Sequence, residues 1–126
     1  MSFSNTYETN VLTWTFTNSA VTRPTAWYLG LFTSDPGEAS GGTEISGSGY
    51  AREAITFTVS GDLATNSGAI EFDAATGSWG TITHVAVFDA ITSGNQIAYA
   101  ALSTSKAIDT GDILRVPAGD LDITLD

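Results

Sequence analysis

Cysteine is missing from all 126 residues, which removes disulfides, thiolate metal sites and a cysteine nucleophile at once. Histidine occurs once, at His84, too few ring nitrogens for a zinc site without thiolates. Bases are scarce too. Arg23, Arg52, Lys106 and Arg115 stand singly against fourteen acids, for a net charge of −10. Nucleic acids and anionic membranes are gripped by clustered Lys and Arg, so neither is an expected partner. Charged residues of either sign reach only 14%, well below the usual quarter. The polar surface therefore falls to Thr, Ser, Asn and Gly, which lose little side-chain entropy on packing against a neighbour. That composition suits a subunit of an assembly. No apolar run approaches the roughly 20 residues of a bilayer span. Met1, Ser2 and Phe3 lead into a polar stretch without the basic and apolar regions of a cleaved signal. A soluble chain that is not exported by such a signal is expected.

What remains is one domain, residues 1–126, long enough to bury about 65–70% of the surface its unfolded chain exposes. Residues 5–18, "NTYETNVLTWTFTN", fit two patterns. Asn5 and Glu8 resemble a capping box, and Tyr7, Val11 and Trp14 share a helical face. Leu12, Trp14 and Phe16 alternate with threonines, as in a strand. From Ala26 onward the reading is β. Ala26 to Thr33 is apolar on both faces, Trp27, Leu29 and Leu31 on one and Tyr28 and Phe32 on the other, so it belongs in a sandwich interior or an interface. Tyr50 to Ser60 sets Ile55, Phe57 and Val59 against threonines. Further strands are expected at Ala69 to Asp73, Thr81 to Asp89, Gln96 to Ser103, Asp112 to Val116 and Asp120 to Asp126, the last with Leu121, Ile123 and Leu125 inward. Glycine-containing turns such as "SGDLATNSG" and "ITSGN" separate them. The spacing predicts an all-β antiparallel sandwich or jelly roll of about seven or eight strands. Its core should hold Ile55, Phe57, Ile70, Phe88, Leu121 and Ile123.

Few residues carry reactive chemistry. His84 would be a general base only if a carboxylate such as Asp89 or Asp73 oriented it; strand alternation instead makes it a packed side chain sharing a face with Ile82, Ala86 and Phe88. Asp35, Glu38 and Glu44 sit among glycines, but "DPGEASGGTE" lacks the ligand spacing of a calcium loop. Asp109 and Asp112 in "DTGD" read as turn residues. Trp79 in "TGSWG" could stack on a sugar, although a plug at the end of the sandwich is the expected role. "SGGTEISGSG" runs into a strand, whereas a phosphate-binding loop needs Lys and then a helix. No catalytic, cofactor-binding or metal-ligating residue is assigned, and no enzyme activity is expected.

Three stretches carry a resemblance: "WYLGLFTSDPGEASGGTEISGSGYAREAITF", "WGTITHVAVFDAITSGNQIAYAALSTSKAIDTGD" and "AGDLDITLD". Their order resembles a family of small bacteriophage virion proteins, often labelled tail-fibre proteins. In that family a strand ending Leu-Phe-Thr/His-x-x-Asp-Pro leads to a Gly-Thr-Glu-Val/Ile-Ser-Gly loop and then Gly-Tyr-Ala-Arg. Here Leu31, Phe32, Thr33, Asp35, Pro36, Thr43, Glu44, Ile45, Gly49, Tyr50, Ala51 and Arg52 hold those places, with one residue rather than two between Thr33 and Asp35. The resemblance implies a short helix over residues 5–18, although this chain is unusually rich there in threonine and aromatics. It also implies a non-enzymatic virion part, made in the host cytoplasm. The expected contact loop contains Asp35, Pro36, Glu38, Thr43, Glu44, Ile45, Tyr50 and Arg52, stiffened at Asp35-Pro36, flexible at its glycines, and tied by Arg52 to an acid such as Glu44. Head decoration is the leading expectation, on a major capsid protein and as a homo-oligomer, possibly a trimer, that buries the second apolar face of Trp27 to Phe32. A tail-fibre or baseplate role and a carbohydrate-binding module are the alternatives.

Overall fold

The computed structural model describes residues 1–125. Its elements are β1 (Ser2–Phe3), α1 (Asn5–Phe16), β2 (Tyr28–Phe32), β3 (Glu53–Ala54), β4 (Phe57–Ser60), β5 (Leu63–Asn66), β6 (Ile70–Glu71), β7 (Gly80–Phe88), β8 (Gln96–Ile108), β9 (Arg115–Val116) and β10 (Asp122–Thr124). A five-stranded sheet has the order β1-β8-β7-β2-β3, a three-stranded sheet β10-β5-β4, and β6 pairs with β9. Every pairing is antiparallel. Leu29, Leu31 and Val87 of the first sheet, Ile123 of the second and Ile70 of the third meet in one core. The all-β antiparallel sandwich with a short N-terminal helix is thus observed, with ten strands among the described residues.

Helix wins at the N-terminus because Ser4 anchors it. The fully buried Ser4 accepts the Tyr7 N–H at 3.4 Å as N-cap and donates its hydroxyl to the Gln96 carbonyl. The cap is therefore Ser4, one residue before the Asn5 that the capping-box pattern suggests. Thr17 closes the other end, its N–H and hydroxyl both donating to Thr13 O. Within α1 only Tyr7 is buried; Leu12, Trp14 and Phe16 are 58%, 71% and 77% exposed.

Three other expectations are corrected. Tyr50 to Ser60 is two strands, β3 and β4, in different sheets. The chain crosses at Ile55, whose N–H donates to Trp27 O. Leu125, expected inward, is exposed, as is Val59, expected on the face of Ile55 and Phe57; β4 is a sheet edge and β10 ends at Thr124. Ile82 does not share a face with His84, Ala86 and Phe88. Ile82 faces Lys106 and His84 faces Ala101, so β8 advances five residues while β7 advances two. A bulge of this kind shifts the side-chain alternation. It sends Ile82, Val85 and Val87 into the main core and Ala86 and Phe88 to the opposite face. Of the expected core, Ile55, Ile70, Leu121 and Ile123 lie in the main cluster and Phe57 is half-buried against it. Phe88 is buried in a second cluster with Phe32 and Ala86.

That second cluster changes the account of β2. Phe32 and Phe88 stack with ring centres 6.0 Å apart and are 4% and 7% exposed. The chain's own loop after β2 covers them, so no second copy is needed to bury this face.

Candidate functional site

The covering segment is the loop from Thr33 to Arg52. Its backbone closes on itself before it touches anything else. Asp35 accepts the Gly37 N–H at 2.8 Å, Pro36 O accepts Gly41 N–H, and Ser34 Oγ accepts Thr43 N–H. Thr33 N–H then donates to Thr43 O and Ile45 N–H to Leu31 O, returning the chain alongside β2. Gly42 is required there: its φ is +73°, and a Cβ would lie 2.9 Å from Asp35 O and from Pro36 N and Cα. The glycines were expected to make the loop flexible; at Gly42 the glycine permits a tight turn instead.

Beyond the turn the polar side chains converge. Glu44 receives Arg52 Nε on Oε2 at 2.8 Å and Arg52 Nη2 on Oε1 at 2.7 Å, a two-pronged ion pair. Tyr50 donates its hydroxyl to the same Oε2 at 2.7 Å and accepts the Leu31 N–H at 3.0 Å. Arg52 Nη1 reaches Ala90 O and Ser93 O at 2.9 and 2.8 Å. The guanidinium lies 3.5 Å from the centre of the Phe88 ring. Room for this stack comes from Gly30 on β2, where a Cβ would lie 3.0 Å from both Glu44 Oε2 and Phe88. Ser93 supplies its carbonyl from left-handed backbone, φ 55°, a conformation costly for a residue with a side chain.

The eight residues expected in the contact loop divide by burial. Asp35, Glu38 and Thr43 are exposed; Glu44 and Tyr50 are half-buried. Pro36, Ile45 and Arg52 are buried: Ile45 belongs to the main core, and Arg52 is held by Glu44 and two carbonyls. The Arg52–Glu44 tie itself is present as expected. Residues the sequence reading missed are Phe88, Ala90 and Ser93, which lie at least 36 positions from Arg52 along the chain; no spacing signal links them.

The electrostatics suit fastening. Burial, and then the bond to Glu44, push the Tyr50 phenol far above its usual range, so it stays protonated. The Glu44 carboxylate is committed to Arg52 and Tyr50. Beside them is a hollow of about 280 Å³ bordered by Phe32, Ser40, Glu44, Arg52, Ser93 and Gln96. Gln96 donates to Gly37 O at 2.7 Å, and its buried Oε1 has no protein donor.

Other candidate residues have settled roles. His84 shares a hydrogen bond of 2.8 Å with Thr83 Oγ1, and its Nε2 is 3.9 Å from Asp35. Asp89, offered as its partner, instead accepts Asn95 N–H and Nδ2 and, at 3.3 Å, the Tyr7 hydroxyl. Trp79 is 4% exposed and donates to Ser48 O, which is the plug and not the sugar platform. Asp112 caps its own turn by accepting Asp109 N–H. Among the described residues no group of three or more His, Asp or Glu side chains is placed to hold a metal ion. Among them, too, no helix is long and apolar enough to cross a membrane.

The family described as podophage GP4 fiber I protein gp80 matches residues 2–124, and the chain belongs to that family of phage virion structural proteins. No curated protein is similar enough to count as a relative.

Proposed function

We propose, from that membership, that this chain is a non-enzymatic building block of a podophage tail fibre and works through contacts with other virion proteins. The observation that supports it most is the state of the Glu44–Tyr50–Arg52 cluster. Its charges are paired, its phenol is kept protonated, and it holds a loop down over β2. Such a cluster fixes the shape of a surface and leaves no free base or nucleophile to act on a substrate. The exposed residues of that surface are Asp35, Glu38 and Thr43. Synthesis in the host cytoplasm followed by incorporation into the particle goes with this reading.

Head decoration, the leading expectation from the sequence, drew on an uncovered second face of β2. That face is covered by the chain itself. The test is quantitative mass spectrometry on purified virions with heads and tails separated. A fibre subunit travels with the tails at a small multiple of the tail's symmetry. A copy number approaching that of the major capsid protein, travelling with heads, overturns the fibre reading in favour of decoration.

A further inference from the structure

The two large sheets leave one side of the sandwich open. β1 covers the outer edge of β8 only at Tyr99 and Ala98; beyond Tyr99 that edge pairs with no strand among the described residues. Ser4 N–H donates to Ile97 O across this edge, so by antiparallel alternation the N–H and C=O of Ala101 also point outward, away from β7. Residues 102–105 have no register partner on β7 either. Across the opening, β10 is the edge of the second sheet. Leu121 O accepts Asn66 N–H from the β5 side, so by the same alternation Asp122 turns its backbone outward, and its carbonyl accepts the Met1 ammonium at 3.2 Å. Between the two edges lies a gap of about 330 Å³ bordered by Met1, Leu29, Val85, Leu102, Val116 and Leu121. Leu29, Val85 and Leu121 belong to the main core, so the gap reaches it. Asp120 and Asp122 border the gap as well and are exposed.

We propose that this open side is a strand-accepting groove. An extended segment of another protein pairs with the β8 edge at residues 101–105, lowers apolar side chains into the gap, and sets a Lys or Arg against Asp120 and Asp122. Outward backbone groups beside an apolar floor match an extended chain, whose own backbone bonds and side chains alternate in the same period; a sugar or a lipid carries no such row. Free edges are ordinarily blunted by charge, proline or a bulge that twists the strand away. Here Lys106 guards the far end, but residues 101–105 carry neither charge nor proline, and the bulge leaves Leu102 packed against the core. Charge selects the partner. The Met1 ammonium bonds a carbonyl, and neither rim carboxylate has an ion-pair partner among the described residues. A second copy would bring its own net −10 to that rim, whereas a basic segment is drawn to it. The inference concerns which surface takes a partner strand and does not depend on where in the virion the chain sits.

Selection of random linear peptides from a displayed library on the purified full chain tests it, with peptides of about ten residues to exceed the usual strand of about 5–6. Peptides enriched by the wild type should alternate apolar and polar residues and carry Lys or Arg at one end. In synthetic form they should slow amide hydrogen exchange at Ala101 and Asp122 and leave α1 unaffected. Ala101→Pro deletes an outward N–H that bonds nothing in the chain, and Asp120→Asn/Asp122→Asn neutralises the rim. Each should weaken binding by about five- to tenfold, the loss of an edge hydrogen bond or of a rim attraction, with an unchanged circular dichroism spectrum. The Asn variant should also bind with less dependence on salt. If Ala101→Pro misfolds, the enriched peptide with N-methylated backbone amides must instead lose binding to the wild type. A library that yields no enrichment, enriched peptides without alternation, protection confined to another surface, or affinity indifferent to both variants overturns the proposal. So does a wild type that sediments as an oligomer with Ala101 already protected, which would give the groove to a second copy.

Discussion

The guanidinium of Arg52 lies 3.5 Å from the centre of the Phe88 ring while it grips Glu44 in a two-pronged ion pair. Cation, ring and carboxylate form one stack on the outer face of β2, and the loop from Thr33 to Arg52 is fastened through it.

Removing the cation should loosen that loop. Arg52→Met strips Glu44 of its partner and leaves the carbonyls of Ala90 and Ser93 without their donor. A broken buried pair costs about 3–5 kcal/mol; since Glu44 is 24% exposed, about 2–4 is expected. Arg52→Lys should recover part of this, because one ammonium cannot make the fork. Urea denaturation measures both, and a loss below about 1 kcal/mol for Arg52→Met would show that the pair does not hold the loop.

Backbone conformation gives a second, sharper contrast. Gly42→Ala and Gly37→Ala both place a side chain at positive φ, but only at Gly42 does the new Cβ meet backbone atoms at 2.9 Å. About 1 kcal/mol is expected at Gly37 and roughly 2–4 at Gly42, where steric overlap adds to the dihedral cost. Equal melting-temperature losses for the two variants would count against a tightly packed turn.

Asn66 should be the least replaceable polar residue in the second sheet. It is 1% exposed; its Nδ2 donates to Gly68 O and Pro117 O, and its Oδ1 accepts Leu121 N–H, each at 2.9 Å. Asn66→Ala orphans all three groups. At about 1–3 kcal/mol for an unsatisfied buried group, with partial rescue by water, a loss of roughly 3–5 kcal/mol is expected in denaturant titrations. A near-neutral Asn66→Ala would mean the segment after β9 is held by other contacts.

The tie between α1 and the sheet should set pH limits. Burial, and then the Asp89 carboxylate, raise the Tyr7 phenol from 10.0 to about 12. A raised folded value stabilises fully below pH 10 and is lost as pH climbs through about 12. For Asp89, burial pushes upward, but hydrogen bonds from Asn95 and Tyr7 outweigh it and hold the carboxyl below 3.8. That contribution is present above pH 3.8 and is lost as pH falls through the folded value. Thermal unfolding across pH should decline at both ends, and Tyr7→Phe should flatten the alkaline limb. An unchanged alkaline limb in that variant would refute the assignment to Tyr7.

Much of this was legible in one dimension. The absent cysteines and sparse bases narrowed the chemistry, and glycine-marked turns separated most of the alternating segments, although "SGDLATNSG", read as a turn, holds the strand β5 at Leu63–Asn66. The motif around Asp35-Pro36 and Gly-Tyr-Ala-Arg carried the family, because strand period and turn geometry are local properties of the chain. Other features were set by contacts between distant residues. Asn5–Phe16 became helix because Ser4 is fastened to Gln96, 92 positions away. Thr83 marks a bulge because β8 advances five residues against it, and that reversed which side of β7 faces the core. Arg52 found Phe88, Ala90 and Ser93 only once β7 had been laid beside β2. A side chain's exposure and partners depend on which segments become neighbours, and the sequence pattern around Leu12, Trp14 and Phe16 gives no sign that this apolar helix would remain on the outside.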